Sequence, residues 1–181
     1  AGLLLWAWGA WLLGHVLPVG LALGLTLGAL ALLGGAIGVS QRQSLRAALN
    51  ANWRVLLVGE VLFVAVAAGV LWTRGWAPGI THTEQPMDMA FLASCVRATR
   101  LPPTDPWLAG EPLSYYYLGY LIWGLVARLT GTTPTVAYNL ALAATAGLAA
   151  QALYGLLHRY LPVHGHWRRA LAGAAGAARI L

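Results

Sequence analysis

The sequence contains no lysine, a single cysteine and only five acidic residues among its 181. One cysteine excludes a disulfide within the chain. Charged residues make up 9% of the sequence and hydrophobic residues 59%, whereas charged residues approach about a quarter of an ordinary soluble domain. This balance excludes a soluble globular domain and indicates a membrane protein.

The formal net charge of +6 comes from eleven arginines, most of which stand singly between apolar stretches. Scattered basic residues of this kind are typical of topology signals at the ends of membrane spans. A nucleic-acid-binding surface would instead gather them into one patch. We therefore expect membrane lipids, and no nucleic acid, among the partners of this protein.

Apolar stretches of about 20 residues predict helices that cross a membrane. The predicted fold is an all-α, polytopic integral membrane bundle in one domain, with about five spans and a truncated sixth. The predicted spans are residues 1–17, 19–39, 54–72, 114–129 and 135–157, and another begins at 168–181. The apolar start and the short last segment also predict that the chain is a fragment of a larger protein.

The polar segment 40–53 holds Arg42 and Arg46 and is predicted to be a cytoplasmic connection. Counting spans from this segment places residues 73–113 on the extracytoplasmic side and the turn at 130–134 on the cytoplasmic side. The expected location is the inner membrane of a prokaryotic cell.

Residues 73–113, which we call the polar loop, contain four of the five acidic residues: Glu84, Asp88, Asp105 and Glu111. Within the loop, residues 86–100 are predicted to form a short helix that Thr83 caps. About 15 residues are too few to cross a membrane, so this helix should lie in the interface or pack on the bundle.

Glu84 and Asp88 are four residues apart, which on a helix places both carboxylates on one face. Two like charges this close indicate a divalent cation such as Mg²⁺ or Mn²⁺, an arginine partner or a shared proton. One carboxylate could also act as a general base. The alternative is a pair of solvated acids that the helix dipole favours at a helix start.

Two further features of the polar loop and its end predict a binding surface. Asp105 stands among prolines in residues 102–107, where a stiff backbone could hold its carboxylate over a pocket, with Trp107 as a stacking platform. Tyr115, Tyr116 and Tyr117 follow, and on a helix they would fan over about 200°. A tryptophan-anchored loop and an interfacial aromatic belt are the respective alternatives.

Glu60 lies in the middle of the predicted span 54–72. Carboxylates inside a membrane are costly and usually face a cavity or a partner. Glu60 therefore predicts either a transport path or a structural hydrogen bond or arginine pair between helices.

Three motifs in residues 79–142 carry a resemblance to a known family. They are the run HTEQPMDMAFL from His82, the run PPTDPWLAG from Pro102, and YYYLGY from Tyr115, and a later PTVAYNL from Pro134 agrees with them. In this order they resemble the Chlor_Arch_YYY membrane protein family, a domain of unknown function named for its triple tyrosine.

That family is similar in fold to the C-type glycosyltransferases, membrane enzymes that take sugars from polyprenyl-phosphate carriers. Their first large extracytoplasmic loop carries an acidic motif on a short helix. The resemblance implies that Glu84 and Asp88 act as a base or as ligands of a divalent cation, with Asp105 as a second catalytic acid. It also implies a set of donor- and acceptor-binding residues: His82, Arg97, Arg100, Trp107, Tyr115, Tyr116 and Tyr117.

The leading hypothesis is thus a glycosyltransferase-like membrane protein that uses a lipid-phosphate-linked sugar. Two other classes stay open from the sequence. The small-residue helices and many tryptophans also suit a non-catalytic subunit or scaffold, with other membrane subunits as partners, in an energy-converting or pigment-binding complex. A transporter that depends on Glu60 is the third hypothesis.

Overall fold

The computed structural model describes residues 2–160, and in this range the chain forms helices and no strand. The helices are α1 (Gly2–Gly14), α2 (Val19–Ser40), α3 (Arg42–Trp76), α4 (Gln85–Arg97), α5 (Leu118–Thr130) and α6 (Pro134–Tyr160). The predicted all-α class is confirmed. The span predicted to begin at 168 lies outside the described residues.

Three of the helices described between residues 2 and 160 are long and apolar enough to cross a membrane: α2, α3 and α6. Helices α1 and α5 are apolar but have 13 residues each. At about 1.5 Å per residue they extend about 20 Å, which is short of a hydrocarbon core of about 30 Å. Three candidate spans are therefore shown, and the predicted count of about five is not confirmed.

Residues 40–53 do not form the polar connection that the sequence predicts. They are helical except at Gln41, where α2 ends and the backbone turns into α3. No glycine or proline stands between Arg42 and Val58, and most residues there are good helix formers. The helical hydrogen bonds therefore continue through a polar stretch that hydropathy alone assigns to a loop.

Helices α3 and α6 pack against each other in antiparallel directions. Gly147 of α6 lies against Phe63 of α3, so closely that an added Cβ would be 2.8 Å from the Phe63 carbonyl oxygen. Nearer the other end, Gly59 faces the Gln151 side chain. At the end of α3, Arg74 Nε donates a 2.7 Å hydrogen bond to Asn139 Oδ1, near the start of α6.

This antiparallel pair fixes where the intervening chain begins and ends. Residues 77–133 leave the end of α3 and return to the start of α6 at the same end of the pair, because Arg74 and Asn139 are in contact. The turn at 130–134 therefore lies at the same end of the α3–α6 pair as the start of the polar loop, whereas the sequence predicts it on the opposite side of the membrane. The short helix α5 belongs to this intervening segment.

Helices α4 and α5 lie side by side within the segment 77–133. A Cβ on Gly124 of α5 would be 2.9 Å from Cβ of Cys95, so only glycine permits this approach. Near the end of α5, the Arg128 guanidinium donates hydrogen bonds to the Val96 and Ala98 carbonyls at the end of α4. Arg128 thus neutralises the negative end of α4.

Helix α4 is shorter than predicted and is packed inside the bundle. It ends at Arg97, so Arg100 lies beyond it, and its residues 91–95 are all buried. Thr83 does not cap it: Thr83 has a positive φ of 49°, and the N-cap position is Glu84, without a side-chain capping bond. Pro86 lies in the first turn of α4, as predicted. A backbone N–H group at this position would have no acceptor within the helix, so its absence in proline costs no hydrogen bond.

The segment after α4 ties the polar loop to the first two helices. The Thr99 carbonyl accepts a 2.8 Å hydrogen bond from Val19 N–H, and Leu101 N–H donates one of 2.9 Å to the Gly14 carbonyl. A hydrophobic core forms where α1, α2, α4 and α5 meet: Trp6, Ala7, Ala10, Val19, Leu23, Cys95, Ala98, Leu101, Leu121 and Leu125. This core holds the polar loop against the bundle.

Candidate functional site

The acidic pair lies at the start of α4. Asp88 is half-buried, and its Oδ1 accepts a 2.5 Å hydrogen bond from the Tyr120 hydroxyl of α5. Glu84 is exposed, and its carbonyl accepts a 2.9 Å hydrogen bond from Asp88 N–H. The two acids are therefore one helical turn apart, with Asp88 towards the protein and Glu84 towards the outside.

Phe91, one turn after Asp88, is the centre of an aromatic cluster. Its ring lies 5.3 Å from that of Trp107, 5.0 Å from that of Tyr115 and 5.5 Å from that of Tyr120, measured between centroids. Such offset and tilted aromatic pairs are each worth about 0.5–1.5 kcal/mol beyond area burial. The cluster joins three separate stretches of sequence beside the acidic pair.

The three consecutive tyrosines precede α5 and do not lie on it, in contrast to the helical arrangement considered from the sequence. Tyr115 stacks on Phe91, and Tyr116 is 87% exposed. The Tyr117 hydroxyl accepts a 2.8 Å hydrogen bond from Trp11 Nε1 of α1. The tyrosines therefore have three different environments, and no single aromatic belt describes them.

A cavity of about 590 Å³ opens between α4, α5 and α6. Its polar end carries the Asp88 carboxylate and the tyrosines Tyr116, Tyr120 and Tyr138. The remainder is mainly apolar: Leu92, Gly119, Trp123, Ala141, Leu142, Thr145, Ala146 and Ala149. This cavity, which we call the Asp88 cavity, has the polarity of a site for a molecule with a polar head and an apolar chain.

Asp105 has a different role in the structure from Asp88. Its Oδ1 accepts hydrogen bonds from the amides of Trp107 (2.8 Å) and Leu108 (3.1 Å), and it lies outside the lining of the Asp88 cavity. Such an Asx turn fixes the backbone locally. The Asp105 carboxylate therefore holds Trp107 in place against Phe91, and its position does not join it to the acidic pair.

The predicted phosphate-binding arginines lie at the other end of α4. Arg97 is exposed and nine residues after Asp88, which corresponds to about 14 Å along the helix axis. Arg100 is exposed beyond the helix end. His82 is likewise exposed, but it lies two residues before Glu84, at the acidic end of α4.

Arg74, which is not among the predicted site residues, lies at the end of α3 beside the start of α6. It donates to Asn139 and to the carbonyls of Pro78 (3.2 Å) and Gly79 (2.9 Å). It lines a separate pocket beside Asn139 and lies outside the lining of the Asp88 cavity. Arg74 thus lies in the last turn of α3, within the first residues of the polar loop.

The acidic pair alone does not form a complete metal site. Among residues 2–160, no group of three or more His, Cys, Asp and Glu side chains could hold a metal ion. Two carboxylates nevertheless fit the chemistry of Mg²⁺, which often takes one or two protein carboxylates together with waters and substrate phosphate oxygens. The predicted ligands Glu84 and Asp88 would thus need oxygens from a bound substrate.

The lone cysteine is not part of this chemistry. Cys95 is fully buried beside Gly124, and burial raises the pKa of its thiol to about 12. A thiol that stays protonated at neutral pH is a poor nucleophile and a poor metal ligand. Cys95 therefore has a packing role.

Comparison with known proteins gives one family and no closer relative. A family model described as an uncharacterized membrane protein, DUF2298, matches residues 5–181. No curated protein and no solved structure matches the chain. The predicted membrane character and the family of unknown function are confirmed, whereas the triple-tyrosine motif and the glycosyltransferase-like fold stay predictions.

The family description and the three candidate spans together support an integral membrane location. Because the match covers nearly the whole sequence, the chain belongs to the DUF2298 family of uncharacterized membrane proteins.

Proposed function

We propose that this protein is a glycosyltransferase-like membrane protein that binds a lipid-phosphate-linked sugar at the extracytoplasmic interface. The observation that carries the proposal is the Asp88 cavity, where one carboxylate lies at the polar end of a space of about 590 Å³ with largely apolar walls. A polyprenyl-phosphate sugar likewise has a polar and an apolar part, namely a charged, hydroxylated head and a long apolar chain.

The roles within the proposal follow from the surroundings of each acid. Asp88 acts as the base or as a ligand of a divalent cation, because it lines the cavity while Tyr120 donates a hydrogen bond to its Oδ1. Glu84, one turn away and exposed, is the second ligand. Bound Mg²⁺ or Mn²⁺ would offset the negative charge of the donor phosphate.

The phosphate contact is assigned differently from the sequence expectation. Arg74 contacts Asn139, which directly follows the cavity residue Tyr138 on α6, whereas Arg97 and Arg100 lie at the far end of α4. A guanidinium that other hydrogen bonds already hold in place loses little freedom when it binds a phosphate. We therefore place Arg74 at the donor phosphate.

The proposed topology takes α3 and α6 as antiparallel spans of a prokaryotic cell membrane, with residues 77–133 as one extracytoplasmic segment between them. The contact between Arg74 and Asn139 supports this arrangement. It agrees with what the resemblance to C-type glycosyltransferases implies, namely a large loop after a span, with acids on a short helix. That relation rests on fold analogy, so the activity needs its own test.

The test compares Asp88→Asn and Glu84→Gln with the wild type in membranes that receive radiolabelled polyprenyl-phosphate glucose, mannose or galactose. Loss of a general base or metal ligand should lower transfer by about 10²–10⁴-fold. Glu111→Gln is the matched control, because Glu111 is an exposed acid of the same loop outside the cavity lining. Unchanged transfer in both site variants, at equal protein levels, would overturn the proposal.

A non-catalytic subunit is the second candidate, and Glu60 is the observation that favours it. Glu60 is exposed halfway along α3, where its Oε1 accepts one hydrogen bond, 2.8 Å long, from Gln151. An exposed carboxylate at this depth is costly unless another helix covers it. Purification in a fixed ratio with other membrane subunits, lost in Glu60→Leu and kept in Val64→Leu, would support this function.

A further inference from the structure

A second cavity, of about 350 Å³, lies between α1 and the start of α5. Five of its seven lining residues are aromatic. They are Trp8 and Trp11 from α1 and the three tyrosines Tyr115, Tyr116 and Tyr117, and Leu118 and Gly119 complete the lining. We call this space the aromatic cavity.

The aromatic cavity adjoins the Asp88 cavity. Tyr116 and Gly119 line both spaces, so the two are separated by little more than one side chain and one backbone segment. Tyr116 is 87% exposed, so most of its side chain is accessible where the two spaces adjoin. Two molecules, one bound in each cavity, would come into contact near Tyr116.

Some side chains of the aromatic cavity are held by contacts within the protein, and others are exposed. Trp11 is held by its 2.8 Å hydrogen bond to the Tyr117 hydroxyl and by an edge contact with His15, and Tyr115 is stacked on Phe91. Trp8, in contrast, is 56% exposed. The cavity thus has a rigid base and presents the rings of Trp8 and Tyr116 to a ligand.

We propose that the aromatic cavity binds the sugar acceptor, as an uncharged saccharide whose ring stacks on Trp8 and Tyr116. This inference rests on the proposed function, since it names the second substrate of the same site. Tyrosine and tryptophan combine an apolar face with a polar edge, which matches a pyranose with its C–H face and its hydroxyl rim. Among residues 2–160, no charged residue lines this cavity, which favours a neutral ligand.

The composition of the two cavities distinguishes their ligands. The Asp88 cavity continues along α6 past Ala141, Ala146 and Ala149, where a flexible chain can lie against small side chains. The aromatic cavity has flat rings in place of that aliphatic wall. An acyl or prenyl chain is therefore assigned to the first space and a saccharide ring to the second.

The two adjoining cavities support transfer of the donor sugar to a hydroxyl group of the acceptor. A hydroxyl oxygen of the acceptor forms a bond to the anomeric carbon of the donor sugar, while the bond from that carbon to the lipid-phosphate oxygen breaks. The hydroxyl proton passes to the Asp88 carboxylate, and the lipid phosphate leaves with the bonding electron pair. Tyr116, between the two cavities, lies where acceptor and donor meet.

The experiment is saturation-transfer NMR on the whole chain in nanodiscs, with methyl glucoside, methyl mannoside and methyl galactoside as probes. We expect binding of at least one glycoside, weakened about tenfold or more by Trp8→Ala and by Tyr116→Ala. Trp8→Phe keeps a stacking face and should retain binding. Trp72→Ala, which removes a 70% exposed tryptophan of α3, is the matched control and should not change binding.

A parallel titration with undecaprenyl phosphate separates this inference from the proposed function. If Trp8→Ala loses glycoside binding and keeps its lipid-phosphate binding, the result supports both this inference and the proposed function. Trp8-dependent glycoside binding without any lipid-phosphate binding overturns the proposed function and keeps a saccharide site. The inference itself is overturned if no glycoside binds the wild type, or if Trp8→Ala and Trp72→Ala, with equal thermal stability, bind alike.

Discussion

The Tyr120 hydroxyl donates a 2.5 Å hydrogen bond to Oδ1 of Asp88 and so joins the first turn of α5 to the first turn of α4. The same tyrosine ring packs at 5.5 Å on Phe91, which fixes the direction of its hydroxyl. Asp88 therefore presents a carboxylate of defined orientation to the cavity between α4, α5 and α6.

Tyr120→Phe tests whether this orientation matters for function. Phenylalanine keeps the ring packing and removes one hydrogen bond to a charged group, which is worth about 1.5–3 kcal/mol. We expect sugar transfer, measured with the polyprenyl-phosphate donors at a temperature well below the unfolding midpoint, to fall about 10- to 100-fold, and the midpoint itself to fall because the bond also stabilises the fold. Tyr154→Phe, which removes a hydroxyl from α6 outside the cavity lining, should leave transfer unchanged. Equal transfer in Tyr120→Phe and wild type would contradict a positioning role.

Site-directed labelling tests whether residues 77–133 begin and end on one side of the membrane. In a Cys95→Ala background, cysteines at Gly110 in the polar loop and at Thr132 in the turn before α6 should react with an impermeant maleimide from the same side. A cysteine at Ser44, near the opposite end of α3, should react only from the other side. Reaction of Gly110→Cys and Thr132→Cys from opposite sides would show that α5 crosses the membrane.

Composition and hydropathy predict much of this fold because they report on single segments. The apolar run after Pro18 and the run after Pro134 appear as α2 and α6, and Gly131 ends α5 with a φ of 68°, which few other residues adopt. The polar loop also stands out, since acidic residues are rare elsewhere in the chain. These signals need no knowledge of which helices are neighbours.

The candidate site depended on contacts between segments, and there the sequence was less informative. Spacing indicates that Glu84 and Asp88 share a helix face, but not that Tyr120 meets Asp88 or that Arg74 meets Asn139. Hydropathy predicts a membrane span over residues 114–129, where α5 lies, because it measures only how apolar a segment is. The contact between Arg74 and Asn139, which reveals the shared end of α3 and α6, is a tertiary one with a separation of 65 residues.

Gly147 tests the close packing of α3 and α6. A Cβ at this position would lie 2.7 Å from Cδ2 and 2.8 Å from the carbonyl oxygen of Phe63, so Gly147→Ala must push the helices apart. We expect a loss of about 1–3 kcal/mol in the free energy of unfolding, which is typical of an overpacked contact. Thermal unfolding in detergent micelles measures it.

Gly155→Ala is the matched control on the same helix. A Cβ at Gly155 meets no atom within 4 Å, so alanine there should be neutral or stabilise the helix by about 0.5–1 kcal/mol. Destabilisation of equal size in both variants would mean that the effect comes from helix propensity or lipid contact and not from the approach of α3 to α6.

The pH dependence of stability tests the burial of Cys95. Burial raises the pKa of this thiol from 9.0 to about 12, so the unfolded chain loses the proton at a lower pH than the folded protein. Its contribution to stability is therefore complete below pH 9 and is lost as the pH rises from 9 towards 12. We expect the unfolding midpoint to fall more steeply between pH 9 and 10.5 in wild type than in Cys95→Ala, and maleimide labelling of folded wild type to be slow at pH 7. Parallel pH curves for the two proteins, or rapid labelling at neutral pH, would show that Cys95 is accessible. In that case α4 would separate from Gly124 of α5 far more readily than this packing implies.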